Sequence, residues 1–153
     1  MWPSDRPRLT RLGQAIHAFT ARDARGDAPI LEACALPDAP RRISMLPADV
    51  FVLSVQTIVR DYLTADERER YESGLREFLL KRPPRSALAV ELEVDLDNLK
   101  VPARSATVVF RFAAEDGQLT ELEMARTHPH PRQLFVNVDA VKSFTDAFSQ
   151  AGT

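Results

Sequence analysis

The sequence predicts an α/β fold: a mixed sheet with a parallel βαβ core and a C-terminal antiparallel hairpin. Three observations carry this expectation. Val50-Phe51-Val52-Leu53-Ser54-Val55 is a continuous apolar, β-branched run, the pattern of a strand covered on both faces in a largely parallel sheet. Leu88, Val90, Leu92 and Val94 alternate with Ala87, Ala89, Glu91 and Glu93, and a period of two marks a strand with one apolar and one mixed face. The segment between them is helical and long enough for a crossover, which is right-handed in nearly all parallel connections.

The elements follow in chain order. Leu9, Leu12, Ile16 and Phe19 fall on one side of a helix that should stop near Gly26, after an extended lead-in, Met1 to Asp5, whose Ser4 or Asp5 can cap it; Pro7 is tolerated in its first turn. Pro29 to Leu36 is a candidate edge strand interrupted by Glu32. After the first strong strand, Thr64-Ala65-Asp66-Glu67 reads as a capping box, in which threonine and glutamate satisfy each other's backbone amides. Tyr71, Leu75, Phe78 and Leu79 share the buried face of the helix that follows, and Pro83-Pro84 end it by removing amide donors and excluding the helical region. Thr107 to Phe112 and Leu119 to Met124 are β-prone runs joined by Glu115-Asp116-Gly117-Gln118, an Asp-Gly turn signal. Leu134-Phe135-Val136 is a last short strand. Val141, Phe144 and Phe148 place an apolar stripe on a closing helix capped by Asp139.

Composition bounds the class. In 153 residues, 44% are hydrophobic and 27% charged, which excludes collagenous, disulfide-scaffold and fully disordered chains. A chain of this length buries roughly two thirds of its unfolded surface and holds a core without staples, so residues 1–153 are read as a single domain. Cys34 is the only cysteine; an intrachain disulfide is impossible and a cysteine-based metal cluster cannot form within one copy. A reducing, cytoplasmic location is expected. There is no signal-peptide pattern, and the longest uncharged stretches, such as Val50 to Val59, are about half of the ~20 residues a membrane helix needs. With 22 acidic and 20 basic side chains and a formal charge of −2, the clustered cations of a nucleic-acid surface are not expected.

Chemistry-bearing motifs are few. The five glycines, Gly13, Gly26, Gly74, Gly117 and Gly152, are scattered, which excludes a P-loop and a G-x-G-x-x-G cradle. Ser54 lies in Val52-Leu53-Ser54-Val55-Gln56, not in the G-x-S-x-G context of a nucleophile elbow. His128 and His130 flank Pro129; with no third ligand, they are read as turn or sheet-edge hydrogen-bond donors that are available to a ligand, and no metal is expected. Glu91 with Glu93, or Asp95 with Asp97, could divide acid and base roles if burial separated their pKa values; otherwise they form a solvated strand face and a turn. Ligands of open parallel sheets sit beyond the carboxyl ends of strands. This singles out Gln56 and Thr57 after the first strand, and Asp95, Asp97 and Asn98 after the second, against the plainer reading that they cap and turn the chain.

Trp2-Pro3 before an Arg-Leu-rich helix, Val55-Gln56-Thr57-Ile58-Val59-Arg60-Asp61-Tyr62-Leu63 after a buried strand, and Ala125-Arg126-Thr127-His128-Pro129-His130 after a hairpin form a combined pattern. On these segments the chain resembles the C-terminal half of the bacterial domain-of-unknown-function family 2332. The resemblance implies a Rossmann-like, class I methyltransferase-type half-domain with three layers. The chain departs from it with Gln56-Thr57 where the family tends to His-Ser, and with Pro131 where it tends to glycine. It further implies that the half bearing a glycine-rich cofactor loop and an acidic ribose partner lies upstream. The leading expectation is therefore a non-catalytic or incomplete methyltransferase-like domain that acts as a binding or assembly module, with no cofactor of its own. Its partner would be a second copy or a protein supplying the missing half. The enzyme alternative is an S-adenosylmethionine-dependent methyltransferase completed by a second chain, with Gln56, Thr57 and Asp61 near the cofactor or acceptor; Asp95, Asp97, His128 and His130 are the candidates for binding a ligand. A small regulatory or immunity-type interaction protein is the third possibility.

Overall fold

A computed structural model describes residues 6–24, 33–57, 59–94, 105–128 and 133–149. The chain divides into two compact units, Met1–Ala33 and Cys34–Thr153. The first contains helix α1 (Arg6–Asp23), as the spacing of its apolar residues requires. Leu12 and Ile16 on that stripe are exposed. The Trp2 lead-in and Gly26 lie outside the described residues.

The second unit is an α/β layer structure. A 3₁₀ turn (Leu36–Asp38) and the short helix α2 (Ala39–Ile43) lead to β1 (Val52–Thr57), a 3₁₀ turn (Val59–Tyr62), α3 (Ala65–Lys81), β2 (Ala87–Val94), β3 (Ala106–Ala113), β4 (Leu119–Thr127), β5 (Leu134–Val136) and α4 (Val138–Ser149). The sheet order is β1-β2-β3-β4-β5. β1 and β2 are parallel, Val52 opposite Ala87 and Gln56 opposite Glu91; the other pairs are antiparallel. A register shift at Val108/Val109 bends β3 against β4.

Local chemistry explains the boundaries. The Thr64 side chain accepts from the Glu67 amide while Glu67 accepts from the Thr64 amide at 3.0 Å, the capping box expected at the start of α3. Gly117, at φ +75°, lets the β3–β4 hairpin turn, and the Asp116 carboxylate accepts from the Gln118 amide at 2.9 Å. α3 packs on one sheet face, Tyr71, Leu75, Phe78 and Leu79 meeting Val52, Ala87 and Ala89. On the opposite face Phe144 of α4 stands edge-on to Phe110 and Phe112, at 5.0 and 5.8 Å between ring centres. Such edge-to-face pairs add about 0.5–1.5 kcal/mol to area burial.

Three expectations change. β1 is an edge strand among the described residues and is not covered on both faces: Val52 and Gln56 point to α3, whereas Leu53 and Val55 are 56% and 60% exposed. An apolar run reports a preference for cover, but which strands flank it is decided at long range. α4 begins two residues earlier than a cap at Asp139 would place it, and the Asn137 side chain, not Asp139, accepts from the Ala140 amide. The candidate strand from Pro29 to Leu36 falls in large part outside the described residues; of its described end, 33–35 is coil and Leu36 opens the Leu36–Asp38 3₁₀ turn.

Candidate functional site

The carboxyl ends of the parallel pair and the first half of α3 enclose a cluster of ionised side chains. Period-two alternation in β2 turns Glu91 and Glu93 toward α3, and Arg111 on β3 faces them, opposite Ala89 in the register. Glu91 is 1% exposed. Its Oε1 accepts from the Tyr71 hydroxyl at 2.8 Å and from Gln56 Nε2 at 3.3 Å, and its Oε2 from Arg111 Nη1. Arg111 also donates to Glu93 Oε1 at 2.6 Å and, through Nε, to Glu121 at 2.7 Å. Arg60, from the 3₁₀ turn after β1, reaches Glu93 at 2.6 Å and Glu72 of α3 at 3.2 Å. Two guanidiniums thus neutralise two largely buried carboxylates, with Glu72 and Glu121 at the wetter rim.

The surroundings set the protonation states. Burial, with the Glu91 carboxylate beside it, pushes the Tyr71 phenol well above its ordinary range, so the hydroxyl is held as a donor. Burial works against the Glu93 carboxylate, but the hydrogen bond and charge of Arg111, with Arg60, outweigh it and hold its pKa below the usual value. Arg111 is likewise held protonated: burial alone would lower its pKa, and Glu93 and Glu91 more than compensate. Asp61 moves the other way. Burial raises its pKa against the opposing pull of Arg68 and Arg60, with Arg68 Nη2 at 3.9 Å from Oδ1. Gln56 Oε1 and Asp61 Oδ2 are buried without a hydrogen-bond partner.

A cavity of about 210 Å³ opens on the cluster, between Arg60, Glu72, Arg76, Glu91, Arg111 and Glu121. That is below the ~300–1,000 Å³ usual for small-molecule pockets. All three carboxylates in its wall, Glu72, Glu91 and Glu121, are paired with a guanidinium, so the cluster's evident work is to fasten α3 and the turn after β1 to the sheet. A larger groove, about 530 Å³, runs between α2 and α3 over Phe78 and Gly74. Its polar side chains include several that are already engaged: Lys81 with Glu77 at 2.5 Å, and Arg82 with backbone carbonyls of the segment before β1. Among the described residues no group of three or more His, Cys, Asp or Glu could hold a metal ion, and no helix is long and apolar enough to cross a membrane.

Of the residues singled out in the sequence, Gln56 enters the cluster and Asp61 adjoins it. Thr57 is exposed and projects to the other face. His128 is half-buried and follows β4 at the sheet end where Val94, Ala106 and Thr127 lie in register. Asp95, Asp97, Asn98 and His130 lie outside the described residues. Arg60, Tyr71 and Arg111 carry no motif and were not singled out. The available signal was Glu91 and Glu93 alternating within an apolar strand; read as a solvated face, they are instead its buried polar face.

A family model described as "Uncharacterized protein conserved in bacteria (DUF2332)" matches residues 1–135. The chain belongs to the DUF2332 family. No curated protein and no solved structure matches it. The match takes in α1, the parallel pair, the hairpin and all but the last residue of β5, so in this DUF2332 chain the ion cluster lies wholly within the family segment.

Proposed function

We propose that this DUF2332 chain is a binding or assembly module without a complete catalytic site of its own, and that the uncovered side of β1 receives another polypeptide. The observation that carries this reading is the exposure of Leu53 and Val55, with Phe51 beside them, on a strand whose parallel partner has Leu88 and Leu92 buried on the same face. Parallel strands ordinarily have both faces covered, and exposed apolar patches on a sheet mark interaction surfaces. A photo-crosslinking phenylalanine analogue in place of Phe51 tests it in the cell. A discrete adduct from that position, with none from position 69 on the exposed side of α3, is the expected result; no adduct from position 51 would overturn the reading.

The methyltransferase alternative draws its support from Gln56 near the carboxyl end of β1 and Asp61 in the turn after it, two groups with orphaned buried acceptors at the end of a parallel pair where open sheets bind ligands. The small cavity and the scattered glycines do not fit a nucleoside cofactor in this chain, so a second chain would have to supply most of the contacts. Titration calorimetry with S-adenosylmethionine and its demethylated product separates the readings. No heat is expected from the chain alone, and tight binding would reverse the order of preference.

A further inference from the structure

We infer that the polypeptide received by β1 is a second copy of this chain, paired antiparallel to it about a two-fold axis through Val55. This rests on the reading that β1 is an assembly edge, and names its occupant. The backbone register identifies the groups that have no strand partner among the described residues. The Val52 amide donates to the Ser86 carbonyl at 2.9 Å on the β2 side, so by strand alternation Val52, Ser54 and Gln56 turn their backbone groups to β2. Leu53, Val55 and Thr57 turn theirs to the open edge. A two-fold through Val55 sets Leu53 against Thr57 of the copy and Val55 against itself, so each outward amide and carbonyl finds a mate. It also keeps the same face up, joining Leu53 and Val55 of both copies into one apolar strip.

The edge lacks the devices that keep edge strands apart. From Val50 to Val59 there is no charge and no proline, and the β1–β2 register runs from Val52 to Thr57 without a shift; charged residues, proline and bulges are how exposed edges are blunted. A copy presents the same uncharged surface, so pairing buries no unpaired ion. At the opposite edge β5 has only three residues, too short to compete. Pairing two six-residue strands buries less than the ~1,200–2,000 Å² of stable interfaces, so the dimer is weak and concentration-dependent.

Sedimentation of the 153-residue chain from about 10 µM to 1 mM, with amide hydrogen exchange at both ends of that range, tests this. A monomer–dimer equilibrium is expected, with exchange at Leu53, Val55 and Thr57 slowing as concentration rises. Val55→Pro removes the outward amide and none that faces β2, and Val55→Lys adds a charge at the edge; each should weaken self-association roughly tenfold or more, with circular dichroism checking that the fold persists. A monomer throughout the range, or a dimer protected elsewhere, would overturn the inference. The crosslink from position 51 distinguishes the two levels: an adduct of twice the chain's mass agrees with a copy. An adduct of any other mass sinks the copy while sparing the assembly reading, and no adduct sinks both.

Discussion

Glu91 shows how much one buried charge can organise. Arg111, Tyr71 and Gln56 all donate to it, and taking such a carboxylate out of water is tolerated only when its partners remain. Removing one member of a buried ion pair leaves the other uncompensated at about 3–5 kcal/mol, so Arg111→Met is expected to lower stability by that order in equilibrium urea unfolding. Tyr71→Phe removes one bond to a charged acceptor and should lose about 1.5–3 kcal/mol. Equally small losses from both would mean that water replaces the missing donors. Two neighbouring carboxyls respond to pH with opposite signs. Glu93 has a folded pKa below its ordinary value of 4.5, so its contribution is present above that value and is lost as pH falls through the folded pKa. Asp61 has a folded pKa above 3.8; the folded state keeps a proton the unfolded chain has released, and this group's contribution falls as pH rises through that window. Urea midpoints between about pH 3 and 7 should therefore fall less steeply with acid in Glu93→Gln than in the wild type, and Asp61→Asn should raise the midpoint near neutrality.

Elements are held by their ends as much as by their faces. The α3 capping box was legible because both partners are three residues apart in sequence, and Thr64→Ala should cost about 1 kcal/mol, read as a lowered Tm. The stop at the other end was legible too, because α3 closes at Lys81 just before Pro83-Pro84, but the work of its C-cap residue was not. Arg82, 8% exposed, donates to the carbonyls of Leu46, Pro47, Ala48 and Val50 and lies 5.9 Å from the centre of the Phe78 ring. One side chain thereby fixes the chain entering β1 from more than thirty residues away, with no spacing rule to announce it. Arg82→Met keeps the stem but removes these donors; faster amide exchange from Leu46 to Val50, with β2 amides unchanged, is the expected signature. α4 offers the converse lesson. Its apolar stripe predicted the helix, but Asn137 stands only two positions before Asp139, and the cap went to the residue whose side chain met a free amide.

For the second unit as a whole, the sheet separates two apolar layers. One centres on Leu79 beneath α3, the other on Phe112 beneath α4. Leu79→Ala and Phe112→Ala should each lose about 2–5 kcal/mol, and their effects should add within about 0.5 kcal/mol if the layers are energetically separate. A larger coupling in the double variant would mean that strain passes through β2 and β3. Periodicity, capping and turn chemistry by themselves determined the strand–helix–strand core, the hairpin and the closing helix, because those signals act between residues a few positions apart. The tertiary structure alone decided that the most apolar strand lies at an edge, that Glu91 meets Arg111 and Tyr71, and that Thr57 faces away from Gln56's cluster. Strand order, burial and charge pairing join residues distant in sequence, and the energy of burying an apolar or ionised group depends on what the fold brings against it.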